Sequence, residues 1–121
     1  MHAHTKWKTL KHCCGGCEPL IGGFIDAGYD VLNPVQLSAK GMDPKTLVEK
    51  YGDRIVFWGG GVDTQQTLPF GTPEEVKAQV AERIQILGAK NGYVFNPIHN
   101  IQCNTPTENL IAMFQTLGRN V

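Results

Sequence analysis

The chain concentrates its metal-ligating side chains near one end, where one histidine and three cysteines lie close together: His12, Cys13, Cys14 and Cys17. His12 and Cys14 are two residues apart at the end of a predicted strand, so their side chains lie on one face. Imidazole nitrogen and thiolate sulfur are both zinc ligands, and catalytic zinc sites use three protein ligands and keep one position open. His99 and Cys103 are candidates for the third ligand, and spacing alone does not choose between them.

Other chemistry is compatible with the same cysteines. Cys14 and Cys17 form a CxxC pair, which is typical of a redox couple or of half a structural zinc site, although the chain has no second CxxC. A purely structural interpretation is that the cysteines are buried at a tight turn beside a hydrogen-bonded histidine. In a reducing compartment the cluster favours thiol or metal chemistry over disulfides.

Polar residues and glycines also follow the other predicted strands, and we place the substrate-binding groups among them: Asn33, Gln36, Gly60, Asp63 and Asn100. The three glycines at 59–61 can bring backbone donors to an anion or form a sharp turn, and their spacing fits no nucleotide-binding motif. Asp63 is either a ligand or a turn residue.

The elements that must position these residues alternate along the chain. Short β-branched or aromatic runs predict four strands, at Trp7–Cys13, Asp30–Val35, Arg54–Trp58 and Gly92–Ile98. Between and after them lie four predicted helices, at Pro19–Ala27, Pro44–Tyr51, Pro73–Leu87 and a last one that starts near Thr105 and ends at Gly118.

Two of these helices carry strong sequence signals at their starts. Thr72 to Glu75 forms a capping box with proline at the first helical position, and the same pattern recurs at 105–108. The predicted buried stripes are Val76, Val80, Ile84 and Leu87 in the first helix, and Leu110, Ile111, Phe114 and Leu117 in the second.

Strands that alternate with helices predict a parallel sheet with right-handed crossovers. A complete eight-unit barrel takes roughly 250 residues, so this chain of 121 residues has the length of half a barrel. An open doubly wound sheet fits the periodicity equally well. In either α/β fold, the ends of the strands that carry these polar residues form the ligand-binding face.

Composition sets limits on the partners. Eleven basic and eleven acidic residues give a net charge of zero, which disfavours nucleic acid and anionic membranes. No apolar run approaches the ~20 residues that span a bilayer, and we expect no signal segment, because no hydrophobic stretch follows the charges of residues 1–6. We expect a soluble, cytoplasmic protein whose residues 1–6 are disordered.

Several segments resemble the C-terminal half of the uroporphyrinogen decarboxylase (URO-D) superfamily. They are HCCG at 12–15, VLNPVQ at 31–36, VFWGGGVDTQQTLPFGTPEEV at 56–76, YVFNPIHNIQ at 93–102 and TPTENL at 105–110. The resemblance implies a single partial domain over residues 1–121, namely the C-terminal half of a TIM (β/α)8 barrel with about four βα units.

The superfamily contains cofactor-free decarboxylases of tetrapyrrole acetate groups and zinc-dependent methyltransferases that move a methyl group from a corrinoid protein to a thiol. His12 and Cys14 match the His-x-Cys zinc ligands of the methyltransferases. His99 aligns with their distant cysteine and with a decarboxylase histidine, which makes it the first choice as third ligand and as catalytic residue. Cys103 is its alternate or a fourth ligand.

The resemblance therefore implies zinc-dependent methyl transfer as the parent activity, with a thiol substrate and a corrinoid protein as partner. The alternatives are tetrapyrrole decarboxylation without a metal, as in porphyrin biosynthesis, and a non-catalytic half-barrel subunit. Four units alone leave unpaired sheet edges. We therefore expect a fragment, or a homo-oligomer or complementing chain that closes the barrel.

Overall fold

The computed structural model describes residues 2–90 and 92–118. The strands are β1 (Leu10–His12), β2 (Val31–Asn33), β3 (Val56–Trp58) and β4 (Tyr93–Val94). The helices are α1 (Glu18–Asp26), α2 (Pro44–Tyr51), α3 (Thr67–Phe70), α4 (Pro73–Leu87) and α5 (Thr107–Leu117). All four predicted strands and four predicted helices are present. The strands are shorter than predicted, and the short helix α3 was not predicted.

The sheet distinguishes the two folds that the periodicity allowed. All neighbouring strands are parallel, and their spatial order, β1-β2-β3-β4, follows the order of the chain. A doubly wound sheet reverses its strand order at a switch point, whereas a barrel adds strands in sequence. Right-handed crossovers that always advance in one direction place every helix on the same face. The four βα units are therefore arranged as in half of a (β/α)8 barrel.

The two faces of the sheet have different environments. Leu32 and Phe57 are paired across β2 and β3, and each is 0–1% exposed beneath the helices. On the other face, which we call the open face, the register aligns His12 with Asn33 and Trp58 with Val94. This row lies at the carboxyl ends of the strands, where a parallel α/β fold binds its ligands.

The core lies between the sheet and the helices in two clusters. The first includes buried residues of β2, β3, α1 and α2, namely Ile21, Leu32, Leu47, Val48 and Phe57. The second joins α4 to α5 and α3, through Val62, Leu68, Val76, Val80, Ala112 and Met113. The loops at the strand ends are therefore attached to strands and helices that are packed in these clusters.

The N-terminus of α4 confirms the predicted capping box. The backbone N–H of Glu75 donates to the Thr72 hydroxyl at 3.3 Å, and the Glu75 carboxylate accepts from the Thr72 N–H at 2.7 Å. Val76, Val80 and Leu87 of the predicted stripe are buried, and Ile84 is half-buried. Local sequence thus determines this helix and its inward face.

The same prediction was wrong for α5. Its N-cap residue is Pro106, without a side-chain cap, so the helix begins at Thr107 and the Thr105 hydroxyl does not cap it. Of the predicted stripe, Leu110 and Leu117 pack half-buried against the second cluster, whereas Ile111 and Phe114 are 50% and 61% exposed, so the buried face is rotated. The residues that are buried instead are Asn109, Ala112, Met113 and Thr116.

Asn109 explains this rotation. It is 1% exposed, and its side-chain amide donates to the carbonyl oxygens of Leu68 at 2.9 Å and Gly71 at 2.8 Å. Both carbonyls belong to α3 and its C-cap. A buried amide must make its hydrogen bonds, so these two contacts fix the face that α5 turns inward.

The N-terminal segment has a defined contact in the part of the chain that the structure describes. The His2 Nε2 atom lies 2.8 Å from the Gly28 carbonyl oxygen, although residues 1–6 are predicted to be disordered. Met1 lies outside the described residues. Within residues 2–90 and 92–118, the longest helix has 15 residues, and no helix has both the length and the apolar character to cross a membrane.

Asp30 connects the beginnings of β1 and β2. Its carboxylate accepts from the Thr9 N–H at 2.7 Å, the Thr9 hydroxyl at 3.1 Å and the Lys8 ammonium at 3.2 Å. The Thr9 backbone N–H is the main cause that holds the pKa of Asp30 below its ordinary value of 3.8, and Lys8 adds to it. The ionised carboxylate is therefore stabilised in the folded state.

This gives a prediction for pH dependence. Because the folded pKa of Asp30 is lowered, its contribution is fully present above about pH 4 and is lost as the pH falls through the folded pKa. We expect Asp30→Asn to lower stability at neutral pH and to flatten the acid limb of a plot of unfolding midpoint against pH. Asp26→Asn is the control, and equal acid limbs in wild type and Asp30→Asn would contradict the assignment.

Candidate metal and substrate site

His12 and Cys14 form the centre of the candidate site. His12 ends β1 and Cys14 lies two residues further on, and both side chains are exposed. The Cys14 Sγ atom lies 3.3 Å from Nε2 of His12. The alternation of side chains along an extended segment produces this contact, as predicted from the spacing.

Asn33 sets the orientation of the His12 ring. The Asn33 Nδ2 group donates to the Trp58 carbonyl oxygen at 3.2 Å, which directs Oδ1 of the same amide toward Nδ1 of His12 at 2.8 Å. An amide oxygen only accepts, so Nδ1 carries the imidazole hydrogen in the neutral ring. Nε2 then carries the lone pair of the ring and accepts the hydrogen bond from the Cys14 thiol at 3.3 Å.

The loop after β1 is fixed by two further contacts. The backbone N–H of Cys13 donates to the Asn33 carbonyl oxygen at 2.8 Å, and the N–H of Gly15 donates to Oε1 of Gln36, also at 2.8 Å. Cys17 follows as the residue before α1 and is 3% exposed. Burial, followed by the neighbouring Cys13, raises the pKa of the Cys17 thiol to about 11. Cys17 therefore remains a protonated thiol at neutral pH.

A cavity of about 220 Å³ lies at the ends of β2, β3 and β4, and Gln36, which accepts the Gly15 N–H, is one of its lining residues. Seven residues line it: Gln36, Thr64, Gln65, Ile98, His99, Asn100 and Gln102. Their side chains are amides, a hydroxyl, an imidazole and one alkyl group. Such a lining provides hydrogen bonds to a ligand of modest size without a fixed carboxylate, ammonium or guanidinium group.

The structure separates the predicted substrate-binding residues into two groups. Gln36 and Asn100 line the cavity, together with the predicted catalytic residue His99. Asn33 instead holds His12. The Asp63 carboxylate accepts the backbone N–H groups of Gln65 at 2.7 Å and Gln66 at 3.2 Å, which is the geometry of a turn residue.

Gly60 also belongs to a turn. Its φ is +77°, and a Cβ at this position would lie 2.8 Å from the Val35 carbonyl oxygen. Only glycine combines that backbone conformation with so close an approach. The glycine run therefore brings the loop after β3 against the loop after β2.

The third predicted metal ligand does not join the pair. In residues 2–90 and 92–118, no group of three or more His, Cys, Asp or Glu side chains is placed to hold one metal ion. His99 and Cys103 follow β4, which is separated from β1 by two strands. Three strand spacings of ~4.8 Å amount to about 14 Å across the sheet. His12 and Cys14 thus lie at the end of one edge strand of the sheet, and His99 and Cys103 follow the other.

Part of the site was not predictable from the sequence. Asn33 was expected to bind substrate, and its contact with His12 depends on the register of β1 and β2. Thr64, Gln65 and Gln102 of the cavity were not selected. The only available signal was their position in the loops after strands, which they share with many residues that do not line the cavity.

Comparisons with known proteins agree on one family. The family model of uroporphyrinogen decarboxylase (URO-D) matches residues 1–119. The uroporphyrinogen decarboxylase of Chlorobium luteolum is 30% identical over 97 residues, which are 78% of this chain and 26% of that protein. The uroporphyrinogen decarboxylase of Psychromonas ingrahamii is 32% identical over 68 residues, which are 56% of this chain and 18% of that protein.

A solved structure supports the fold. The structure of a methyltransferase from Methanosarcina mazei superposes with a TM-score of 0.72 at 24% identity, and the match covers 98% of this chain and 33% of that one. The chain thus spans about a quarter or less of these curated relatives and a third of this structural neighbour. On the match to the family model over nearly its whole length, the chain belongs to the uroporphyrinogen decarboxylase (URO-D) family.

Proposed function

We propose that this chain contributes a zinc-binding, thiol-activating site, and that the activity it serves is methyl transfer from a corrinoid-bound methyl group to a thiol. One observation carries the proposal. The Cys14 Sγ and the His12 Nε2 converge to 3.3 Å, and Asn33 holds the other ring nitrogen of His12.

The donor atoms of this pair fit zinc. Zinc binds histidine nitrogen at about 2.0–2.1 Å and thiolate sulfur at about 2.3 Å, so tetrahedral geometry puts the two donors about 3.5 Å apart. The Nε2 to Sγ distance of 3.3 Å is close to that value. Metal-ligating histidines also commonly donate their second ring N–H to an oxygen atom, as His12 does to Asn33.

Bound zinc would supply charge stabilisation of a substrate thiolate at neutral pH. The chain's own residues would do the rest of the work on this side of the site. His12 and Cys14 would hold the metal, and Asn33 fixes the tautomer of His12. The cavity that includes His99 would receive the remainder of the thiol substrate. A further ligand would have to move toward the pair, and His99 and Cys103 are the two alternatives for it.

The second candidate is decarboxylation of a tetrapyrrole without a metal. The relatives from Chlorobium luteolum and Psychromonas ingrahamii are both uroporphyrinogen decarboxylases, which favours this activity. In that case His99 would act on substrate from the cavity, and the thiol of Cys14 would have no metal to bind. Metal content therefore distinguishes the two candidates.

The deciding measurement is zinc per folded chain, in protein purified without added metal. We expect near-stoichiometric zinc in the wild type and a loss of tenfold or more in zinc affinity in Cys14→Ser, since a thiolate ligand is removed. Cys13→Ser is the matched control, because this neighbouring thiol lies on the other side of the segment, and it should retain zinc.

Two further variants address the remaining ligand. His99→Ala and Cys103→Ser separate the two alternatives, because only the ligating residue should reduce zinc affinity when it is replaced. Wild-type protein that is folded by circular dichroism and contains no zinc would contradict methyl transfer and favour the decarboxylase. Equal zinc in wild type and Cys14→Ser would contradict the site itself.

A further inference from the structure

The open face carries an apolar layer, one row nearer the strand starts than His12. The register places Leu10 beside Val31 and Val31 beside Val56, and alternation puts these three side chains on the face opposite Leu32. Val31 and Val56 are half-buried, and Leu10 is 44% exposed. Layers of branched apolar side chains fill the interior of a (β/α)8 barrel. This layer is therefore suited to the inside of a closed barrel.

The outer edge of β1 presents free backbone groups. In a parallel strand, the N–H and C=O of one residue point to the same side, and successive residues point to opposite sides. The Thr9 carbonyl oxygen and the Cys13 N–H both bond to β2. The backbone groups of Leu10 and His12 are therefore directed away from β2, and in the described part of the chain β1 has no other neighbouring strand.

The outer edge of β4 is arranged in the same way. The carbonyl oxygens of Val94 and Asn96 accept hydrogen bonds from the segment that follows β3, at 3.0 and 2.9 Å. The backbone groups of Tyr93 and Phe95 are therefore directed to the other side, where residues 2–90 and 92–118 provide no strand. Edges of this kind favour pairing with a further strand. Because all four strands are parallel, β4 of one copy can continue the sheet onto β1 of another.

We propose that two copies of this chain close one eight-stranded barrel about a two-fold axis along the strands, and that each copy completes the metal site of the other. Two sheets of four strands provide the eight strands of the barrel, and symmetry makes both new edge pairings identical. The net charge of zero means that no overall repulsion opposes the association of two copies. The shared metal site rests on the proposed function, whereas the closure of the barrel does not.

Closure changes which side chains lie next to His12 and Cys14. Within one chain, β1 and β4 are separated by three strand spacings, about 14 Å. In the closed pair, the partner's β4 is the strand beside β1, at one spacing of ~4.8 Å. The partner's His99 and the partner's Cys103 follow that strand. The third zinc ligand therefore comes from the partner, and the closed pair contains two such sites.

The mass of the chain in solution tests closure without any metal. In the presence of a metal chelator and at micromolar concentration, we expect sedimentation equilibrium to give twice 13.3 kDa. Leu10→Pro removes an N–H that faces the free edge and keeps the hydrogen bonds to β2, so it should be a folded monomer. Leu10→Val keeps this N–H and, as matched control, should remain a dimer. Circular dichroism checks that each variant is folded.

Two outcomes of this measurement would overturn closure. A wild-type chain that is folded and monomeric would mean that another protein covers the open face. A folded Leu10→Pro that dimerises as strongly as the wild type would mean that the free edge of β1 is not the interface. If Leu10→Pro does not fold, the mass of the wild type and the mixed dimers described next decide the matter.

Mixed dimers test whether the metal site is shared. One variant carries His12→Ala and Cys14→Ser, and the other carries His99→Ala and Cys103→Ser. Each variant alone should bind little zinc, whereas the mixed dimer, selected with two different affinity tags, has one intact site and should hold about half of the wild-type zinc. A mixed dimer with no more zinc than either variant alone would overturn the shared site.

A second mixed dimer provides the matched control. It combines a wild-type copy with a copy that carries all four substitutions, so that neither shared site is intact and little zinc should bind. Half of the wild-type zinc in this dimer would show that each chain binds zinc by itself, which would overturn the shared site. Zinc in a wild-type monomer would support the proposed function and overturn this inference. A doubled mass without zinc would overturn the shared site together with the proposed function and would support closure alone.

Discussion

Phe57→Ala is expected to lower the free energy of unfolding by about 3–5 kcal/mol, a large effect for a single substitution. Phe57 is 1% exposed in β3, where its register partners are Leu32 on one side and Tyr93 on the other. Removing the ring leaves a cavity under the middle of the sheet, and close-packed surroundings collapse only in part. Denaturant unfolding measures the change as a lower midpoint.

The neighbouring Trp58 is the matched control for this prediction. It belongs to the same strand, faces the opposite side and is 38% exposed. Trp58→Ala should therefore lower the free energy of unfolding much less, by roughly 1 kcal/mol. The loss for Phe57→Leu should lie between these two values, since leucine keeps much of the apolar volume. Equal losses of unfolding free energy for Phe57→Ala and Trp58→Ala would contradict the conclusion that the core lies only between the sheet and the helices.

Asn109→Ala is expected to lower the free energy of unfolding by about 2–4 kcal/mol, because it removes the donor from one buried and one part-buried carbonyl oxygen. The amide of Asn109 donates to Leu68 and Gly71, 41 and 38 residues earlier in the chain. These two hydrogen bonds join α5 to α3, so their loss affects packing between two elements. Thermal or denaturant unfolding of the variant measures the effect.

Ile111→Ala is the control on the same helix. Ile111 is 50% exposed, so its truncation should change the free energy of unfolding by no more than about 0.5 kcal/mol. An isoleucine at this position was predicted to be buried, and the comparison therefore also tests the rotation of α5. If Ile111→Ala lowers the free energy of unfolding more than Asn109→Ala does, Asn109 does not lie on the buried face of α5.

The two long helices show how far local sequence determines the fold. Thr72 and Glu75 satisfy each other's backbone N–H groups within one turn, so four residues suffice to predict the start of α4. The inward face of α5 depends on carbonyls in α3, and hydrophobic periodicity contains no information about them. The periodicity selected Ile111 and Phe114 because apolar residues usually face the core.

Part of the candidate site was also predictable from local sequence, and part was not. The contact between His12 and Cys14 follows from strand alternation, and it was predictable from a spacing of two residues. The side of the chain that Cys13 occupies was not predicted, and Cys13 packs against the core cluster that contains Cys17. The role of Asn33 depends on which residue of β2 lies opposite His12, and the sequence does not specify that register.

The register of β1 and β2 also bears on how accurately the chain must fold. A slip of one residue would place Leu32 or Pro34 opposite His12 in place of Asn33. The histidine and Cys14 would stay together, since they are close in sequence, but the imidazole tautomer would no longer be selected. The chemical shifts of the His12 ring, measured by nuclear magnetic resonance, therefore report whether β1 and β2 are correctly aligned. Helix content does not report this alignment.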